Sequence, residues 1–268
     1  MKRFCDYFVT VGVSSKALEP INKAQAMVTP PPSCFAVPFK AEILDRYPRK
    51  DHPGDSPLPQ HVNMFCFPRG ILLSREPHPP KFFVFVLTEL DGNRFYGAVL
   101  QIHQPMDVHP PLPPYLADAT TKETTYFPLC LCILSHHPFF GSFREYLRGL
   151  FRMTLPGNKA PYPVERFIHN FTCDVPLPLP GVVVQCPIGG TQKTLTIPAI
   201  THFPLADFSM KYLFECLGVD GVMSLFFALL EERKILFLSR QCTLLTLAAE
   251  TLSALIYPFK WHHVYIPL

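Results

Sequence analysis

The spacing of apolar positions changes several times along the chain, and each change marks an element. Asp6 to Val13 (DYFVTVGV) is β-branched and aromatic and stops near Gly12, Ser14 and Ser15, which predicts an opening strand. Lys81 to Ile102 holds two apolar runs, KFFVFVLT and RFYGAVLQI, on either side of Glu89-Leu90-Asp91-Gly92-Asn93. The Asp-Gly pair supplies the positive φ of a tight turn, so the two runs predict a hairpin. With Met64 to Pro68 and Ile71 to Leu73 upstream, they predict a meandering antiparallel sheet. Leu129 to Ser135 (LCLCILS) is apolar at almost every position, the pattern of a strand covered on both faces.

Helical periods follow. Phe140, Phe143, Tyr146, Leu147, Leu150 and Phe151 recur at three- and four-residue steps within Phe139 to Met153, with Arg144, Glu145, Arg148 and Arg152 largely on the other side. Pro163 to Phe171 predicts a second helix, and the pair is expected to close the sheet. Lys16 to Phe39 and His52 to Gln60 are proline-rich and read as loops. Beyond Cys173 the texture changes, with Pro176 to Pro180 leading into short strands at Val182 to Cys186 and Thr194 to Ile197. A lobe boundary near Phe171 is therefore expected, with an amino-terminal lobe at 1–172 and an α/β lobe at 173–268. Ser209 to Leu217 and Asp220 to Leu230 predict helices, the second apolar all round and so expected to be buried. Lys234 to Ser239, Thr243 to Tyr257 and His263 to Ile266 then read as strand, helix and strand, a βαβ unit with parallel strands. The chain ends at Leu268, where such a sheet would need further strands or helices, so the unit is expected to be incomplete.

Composition narrows the classes. Proline accounts for 31 of 268 residues, more than twice the usual share of about 5%, which implies many short elements with stiff connectors. Hydrophobic residues are 48% and charged residues 17%, a globular rather than disordered balance. The formal charge of +3 is small and no run of basic residues stands out, so no nucleic acid is expected as a partner. Nine cysteines lie mostly in apolar runs, as expected of free thiols in a reducing cytoplasm. Asp6 interrupts the first apolar stretch after Lys2 and Arg3, against a secretory signal. Val219 to Leu230 and Leu244 to Phe259 fall short of the roughly 20 apolar residues of a span or carry Glu250, so no transmembrane segment is expected.

Motifs for covalent chemistry are scarce. Ser135 precedes His136 and His137, but no G-x-S-x-G elbow occurs, and a strand-end turn is the plainer reading. Gly189-Gly190-Thr191-Gln192-Lys193-Thr194 lacks phosphate-loop spacing and reads as a hairpin turn. C-x-x-C and H-E-x-x-H are absent, Cys130 and Cys132 read as core, and His262-His263 beside Trp261 reads as structural. Asn170-Phe171-Thr172 is a sequon expected to stay unmodified, and Pro110 to Tyr115 reads as a rigid loop before a WW or SH3 ligand. No catalytic, cofactor or metal residues are expected; the surface is the function.

The run Pro204 to Ser209 (PLADFS), then LFECLGVDGVMSLFFALLEERKILFLSRQ from Leu213 and ALIYPFKWHHVYIPL from Ala254, resembles the central segment of DENN domains. Asp6 to Val9, Arg46-Tyr47-Pro48, Phe65 to Gly70, Phe82 to Thr88, Leu131 to Phe140 and Phe143-Arg144-Glu145 extend the resemblance upstream. It implies a mixed α/β fold: a longin-like antiparallel-sheet lobe, the central segment starting near residue 126, then an α/β lobe with a parallel sheet. The family pattern continues past Tyr265-Ile266-Pro267-Leu268 into a downstream segment expected to be missing here. The resemblance also implies a guanine-nucleotide exchange factor for a Rab family GTPase in vesicle traffic, cytoplasmic or peripheral on vesicle membranes. The alternative is a module that holds a Rab or a trafficking adaptor without exchange; a hydrolase is the weakest reading. Open α/β sheets place their crevice at the carboxyl ends of the strands, so Asp207, Phe208 and Arg240, with Arg144 or Arg148 facing them, are the expected partner-binding residues. The plainer alternative has Asp207 and Phe208 starting a helix and Arg240 bonding a carbonyl.

Overall fold

Strands dominate the first half of the chain and helices the second, in a mixed α/β fold. A computed structural model describes residues 3–13, 19–22, 35–52, 57–89, 92–105, 125–157, 162–188, 191–199 and 204–267. The Pro110 to Tyr115 loop and the Gly189-Gly190 turn lie outside these residues. Five strands, β1 (Tyr7–Val13), β2 (Ala41–Tyr47), β3 (Lys81–Thr88), β4 (Arg94–Pro105) and β5 (Tyr126–Ser135), form one sheet in the order β2-β1-β5-β4-β3. Two further strands, β6 (Val183–Ile188) and β7 (Thr191–Thr196), pair antiparallel as a separate ribbon. The helices are α1 (Val62–Cys66), α2 (Phe140–Thr154), α3 (Val164–His169), α4 (Lys211–Leu230) and α5 (Cys242–Leu255), with a π-helical turn at Asn170–Asp174 after α3.

The chain forms two compact units interleaved in sequence. One comprises Tyr7–Phe82 and Val99–Ile133. Its β1 and β2 pair antiparallel from Phe8↔Tyr47 to Val13↔Ala41, with the register shifting between Thr10 and Val11. Asp51 accepts bonds from the Tyr7 hydroxyl, 3.3 Å away, and from the Arg46 guanidinium. Cys66, Cys130 and Cys132 are buried, and the Cys130 thiol donates to the Cys66 carbonyl at 3.9 Å. The neighbouring Cys130 and Cys132 thiols act to lower the Cys66 pKa, opposed by its burial.

Met1–Asp6, Phe83–Ala98 and Leu134–Leu268 make the other unit. Phe4 sits at its centre, its ring 4.7 Å from Phe139, 5.2 Å from Phe143 and 5.5 Å from Phe171. Tyr146 stacks on Phe171 at 3.6 Å and its hydroxyl donates to the Phe167 carbonyl, which ties α2 to α3. Across the hairpin, Gly97 faces Phe85, and a Cβ at Gly97 would lie 2.2 Å from that ring. A smaller core joins Leu213 and Val222 of α4 to Ala248 and Leu252 of α5.

Several expectations change. Met64 to Cys66 lies in a short helix rather than a strand, and β2 falls where no element was expected. Gly218, at φ 68° and ψ 173°, divides α4 into the two helical pieces that the sequence predicts. Taken end to end, Lys211–Leu230 has the length and apolarity to cross a membrane, but the break at Gly218 makes it two shorter pieces. The second piece is not buried: Val219, Met223, Phe227 and Leu230 are exposed, because α5 covers only one side of the helix.

The parallel sheet of the βαβ reading is not formed. Residues 234–239 and 263–266 are not strands, and among the described residues the backbone of 234–238 has no hydrogen-bond partner. Both stretches alternate in burial. Ile235 and Phe237 turn inward while Leu236 is 82% and Leu238 86% exposed; likewise Tyr265 turns inward while Val264 is 82% exposed. His263 Nε2 lies 3.1 Å from Glu232 Oε2, joining the starts of the two stretches. They flank a cavity of about 820 Å³ floored by Leu245, Ala249 and Leu252 of α5. The side chains are those of sheet strands, but the stretches lack the pairing.

Candidate functional site

Helix α2 carries the candidate site. Its apolar stripe of Phe140, Phe143, Tyr146, Leu147 and Leu150 is buried, leaving Arg148 and Arg152 exposed and Arg144 half-buried. The start of α2 has no cap of its own, so its first amides need acceptors from elsewhere. Asp207 supplies them from 65 residues downstream: its carbonyl accepts from the Gly141 amide at 2.9 Å. One carboxylate oxygen, Oδ2, accepts from both the Ser142 amide and the Ser142 hydroxyl, each at 2.9 Å. A carboxylate is well placed there, since the amino end of a helix carries partial positive charge. Gly141 permits the approach; a Cβ there would lie 2.8 Å from Asp207 Oδ1. Next in the chain, Phe208 packs on Phe140 with ring centroids 5.8 Å apart.

Four of the five expected partner-binding residues thus meet on one helix. Asp207 and Phe208 clasp its first turn, Arg144 is half-buried on its flank, and Arg148 is exposed one turn on, 4.0 Å from Glu145. Arg240 is exposed just before α5, and no hydrogen bond or ion pair joins it to the other four. The plainer alternative described the role of Asp207 correctly in kind, but the helix it starts is α2 rather than the one that follows it.

Ser135 and His136 are held in structural roles. The Ser135 hydroxyl donates to the Phe4 carbonyl at 2.8 Å and accepts from the His137 amide at 3.1 Å. His136 bonds the Arg94 carbonyl through Nδ1 at 3.0 Å, and its amide donates to the Asp6 carboxylate. Within the sequon, the buried Thr172 hydroxyl is bonded to the Ile168 and His169 carbonyls.

A polar cluster that the sequence reading missed lies beside α5. Glu250 is buried and accepts from the Tyr265 hydroxyl, and the Arg94 guanidinium lies 4.2 Å above the Tyr265 ring. The Tyr265 carbonyl accepts from Thr88, and the buried Thr246 hydroxyl donates to the Val84 carbonyl at 3.0 Å. These bonds fix α5 and the 263–267 stretch to the β3–β4 hairpin. Burial raises the Glu250 pKa, opposed by the Tyr265 bond and by Arg94. Burial and then the charge of Glu250 push the Tyr96 hydroxyl up to about 12. A lone acid in the apolar run LLTLAAETLSAL was the available signal.

Residues 126–268 match the model of the DENN (AEX-3) domain, and residues 41–102 that of the uDENN domain. Over 237 residues, 84% of the chain, it is 32% identical to the DENN domain and WD repeat-containing protein SCD1 of Arabidopsis thaliana. The chain belongs to the DENN domain family. It spans 19% of the length of that relative, about a fifth.

Proposed function

We propose that this chain is a guanine-nucleotide exchange module that promotes GDP release from a Rab family GTPase in vesicle traffic, working from the cytoplasm. The observation that carries this reading is the DENN match across 126–268, which contains α2, its Asp207 clasp, the half-buried Arg144 and the exposed Arg148 and Arg240. Exchange needs no nucleophile. A GTPase holds its nucleotide through Mg²⁺ and loops ordered by the phosphates, and a partner that binds those loops open weakens the nucleotide by the same coupling energy. A thousandfold loss of nucleotide affinity corresponds to about 4 kcal/mol, within reach of a few buried anchors. In this reading Arg144, Arg148 and Arg240 face the GTPase, while Asp207 and Phe208 fix the first turn of α2 so that the arginines are presented in one geometry. The division into lobes at 1–172 and 173–268 is part of the same proposal.

The test is release of labelled GDP from a panel of Rab proteins. Acceleration of at least one, reduced at least tenfold by Arg144→Ala with Arg148→Ala, is the expected result. If no Rab is accelerated, the reading fails; a Rab retained on the immobilised chain with unchanged GDP release would leave a binding module without exchange.

A further inference from the structure

Three cysteines far apart in sequence meet within the unit made of Tyr7–Phe82 and Val99–Ile133. Cys66 is the last residue of α1, and Cys130 and Cys132, two positions apart on β5, share one face of that strand. Both thiols neighbour the Cys66 side chain, and the Cys130 sulfur lies 3.9 Å from the Cys66 carbonyl oxygen. All three are free thiols, and none takes part in the proposed exchange surface. Small apolar side chains would pack equally well at such positions; what sulfur adds is redox chemistry.

The two sides of the cluster differ. Cys130 and Cys132 are fully buried in a sheet strand, whereas Cys66 ends a helix of five residues that has no side-chain cap. Two residues before it, Met64 is 60% exposed. A single uncapped turn opens locally more readily than a sheet strand does, and its opening bares Cys66 first. The neighbouring thiols act to favour the Cys66 thiolate, while burial and the charge of Cys66 keep the Cys130 thiol protonated. A thiolate that reaches solvent with a protonated thiol beside it can attack an oxidant and then be resolved by its neighbour.

We propose that Cys66 and Cys130 form an oxidation site that takes hydrogen peroxide and closes to a disulfide joining α1 to β5. The Cys66 thiolate attacks one peroxide oxygen, the O–O bond breaks, and the sulfur becomes a sulfenic acid as hydroxide leaves. The Cys130 thiol gives its proton to that hydroxide, and its sulfur then attacks Cys66 and expels the sulfenic oxygen as a second hydroxide. That hydroxide takes up the proton Cys66 had released. Two thiols and one peroxide thus give one disulfide and two waters, both sulfurs being oxidised and both peroxide oxygens reduced. The site does not depend on the exchange reading, because its test involves neither nucleotide nor GTPase.

The experiment is peptide mapping of the folded 268-residue chain after exposure to hydrogen peroxide, with the remaining thiols alkylated on denaturation. Cys173→Ser with Cys216→Ser, both exposed, supplies a background in which these thiols cannot link one chain to another. Expected is a Cys66–Cys130 cross-link, lighter by two hydrogens than the separate peptides and undone by a thiol reductant. Cys130→Ser should lose the link and leave the Cys66 sulfenic acid to be trapped by dimedone, roughly tenfold above the parent chain. A thermal melt checks that this variant is folded, and the mapping of the parent chain decides the matter if it is not. Recovery of Cys66 and Cys130 fully alkylated, with oxidation confined to exposed cysteines, would overturn the proposal. So would a link from Cys66 to Cys132 in place of Cys130, or a folded Cys130→Ser chain that traps no more dimedone than the parent.

Discussion

Asp207 and Gly141 form a matched pair at the start of α2, one supplying acceptors and the other the space for them. Asp207→Ala should cost about 1–2 kcal/mol in chemical denaturation, the usual range for a lost helix cap, and Asp207→Asn should recover most of it. Equal stability of the Ala and parent chains would show that water replaces the carboxylate. Gly97 is a stricter case, because the Phe85 ring in front of it is buried and has nowhere to swing. Gly97→Ala is expected to destabilise by about 1–3 kcal/mol through overpacking. Gly97→Ala combined with Phe85→Leu should lose less than the sum of the two single changes, which a double-mutant cycle measures.

Among the elements, α5 responds to pH through Glu250. Burial raises its pKa in the folded chain, so folding favours the protonated acid. Its contribution is complete below the unfolded value of about 4.5 and is lost as pH rises through the raised folded value. Glu250→Gln keeps an acceptor for the Tyr265 hydroxyl and removes the titration. The variant should match the parent at low pH and melt higher at neutral pH; parallel melting curves across that range would show that Arg94 fully compensates the charge.

Legibility in the sequence followed the same elements. Helix α2 and the β3–β4 hairpin were readable because a period of three to four, or an Asp-Gly turn between apolar runs, states its own geometry. MFCFP was misread because five apolar residues carry no period that separates strand from helix. AEILDRY was missed because β2 alternates weakly and little of it is buried. Residues 234–239 and 263–266 have strand composition, yet strands exist only where a neighbour supplies the other half of each hydrogen bond. The clasp of α2 was half legible: Asp207 announced a cap, but only the tertiary fold names a helix 65 residues away as its recipient.

At the scale of the whole molecule, Leu236, Leu238, Val264, Ile266 and the outer side of α4 leave more aliphatic surface in water than isolated exposed leucines would. The folded chain should therefore bind an apolar dye and associate with itself as concentration rises. Leu236→Lys with Leu238→Lys is expected to reduce both, with stability changed by no more than about 0.5 kcal/mol per site because neither side chain is packed. Dye binding unchanged in that variant would assign the surface to Val219, Met223 and Phe227 of α4 instead.

The stretch from Lys234 to Leu238 is already extended, its amides and carbonyls have no partner among the described residues, and alternate side chains stand clear of the protein. Endopeptidases accept polypeptide in that shape, and elsewhere must wait for a segment to unfold before they cut. Chymotrypsin at low dose should accordingly sever the native chain first beside Leu236, Phe237 or Leu238. The nick would leave α4 and α5 on two fragments of unequal length, still held together by their shared core and separated only on denaturation.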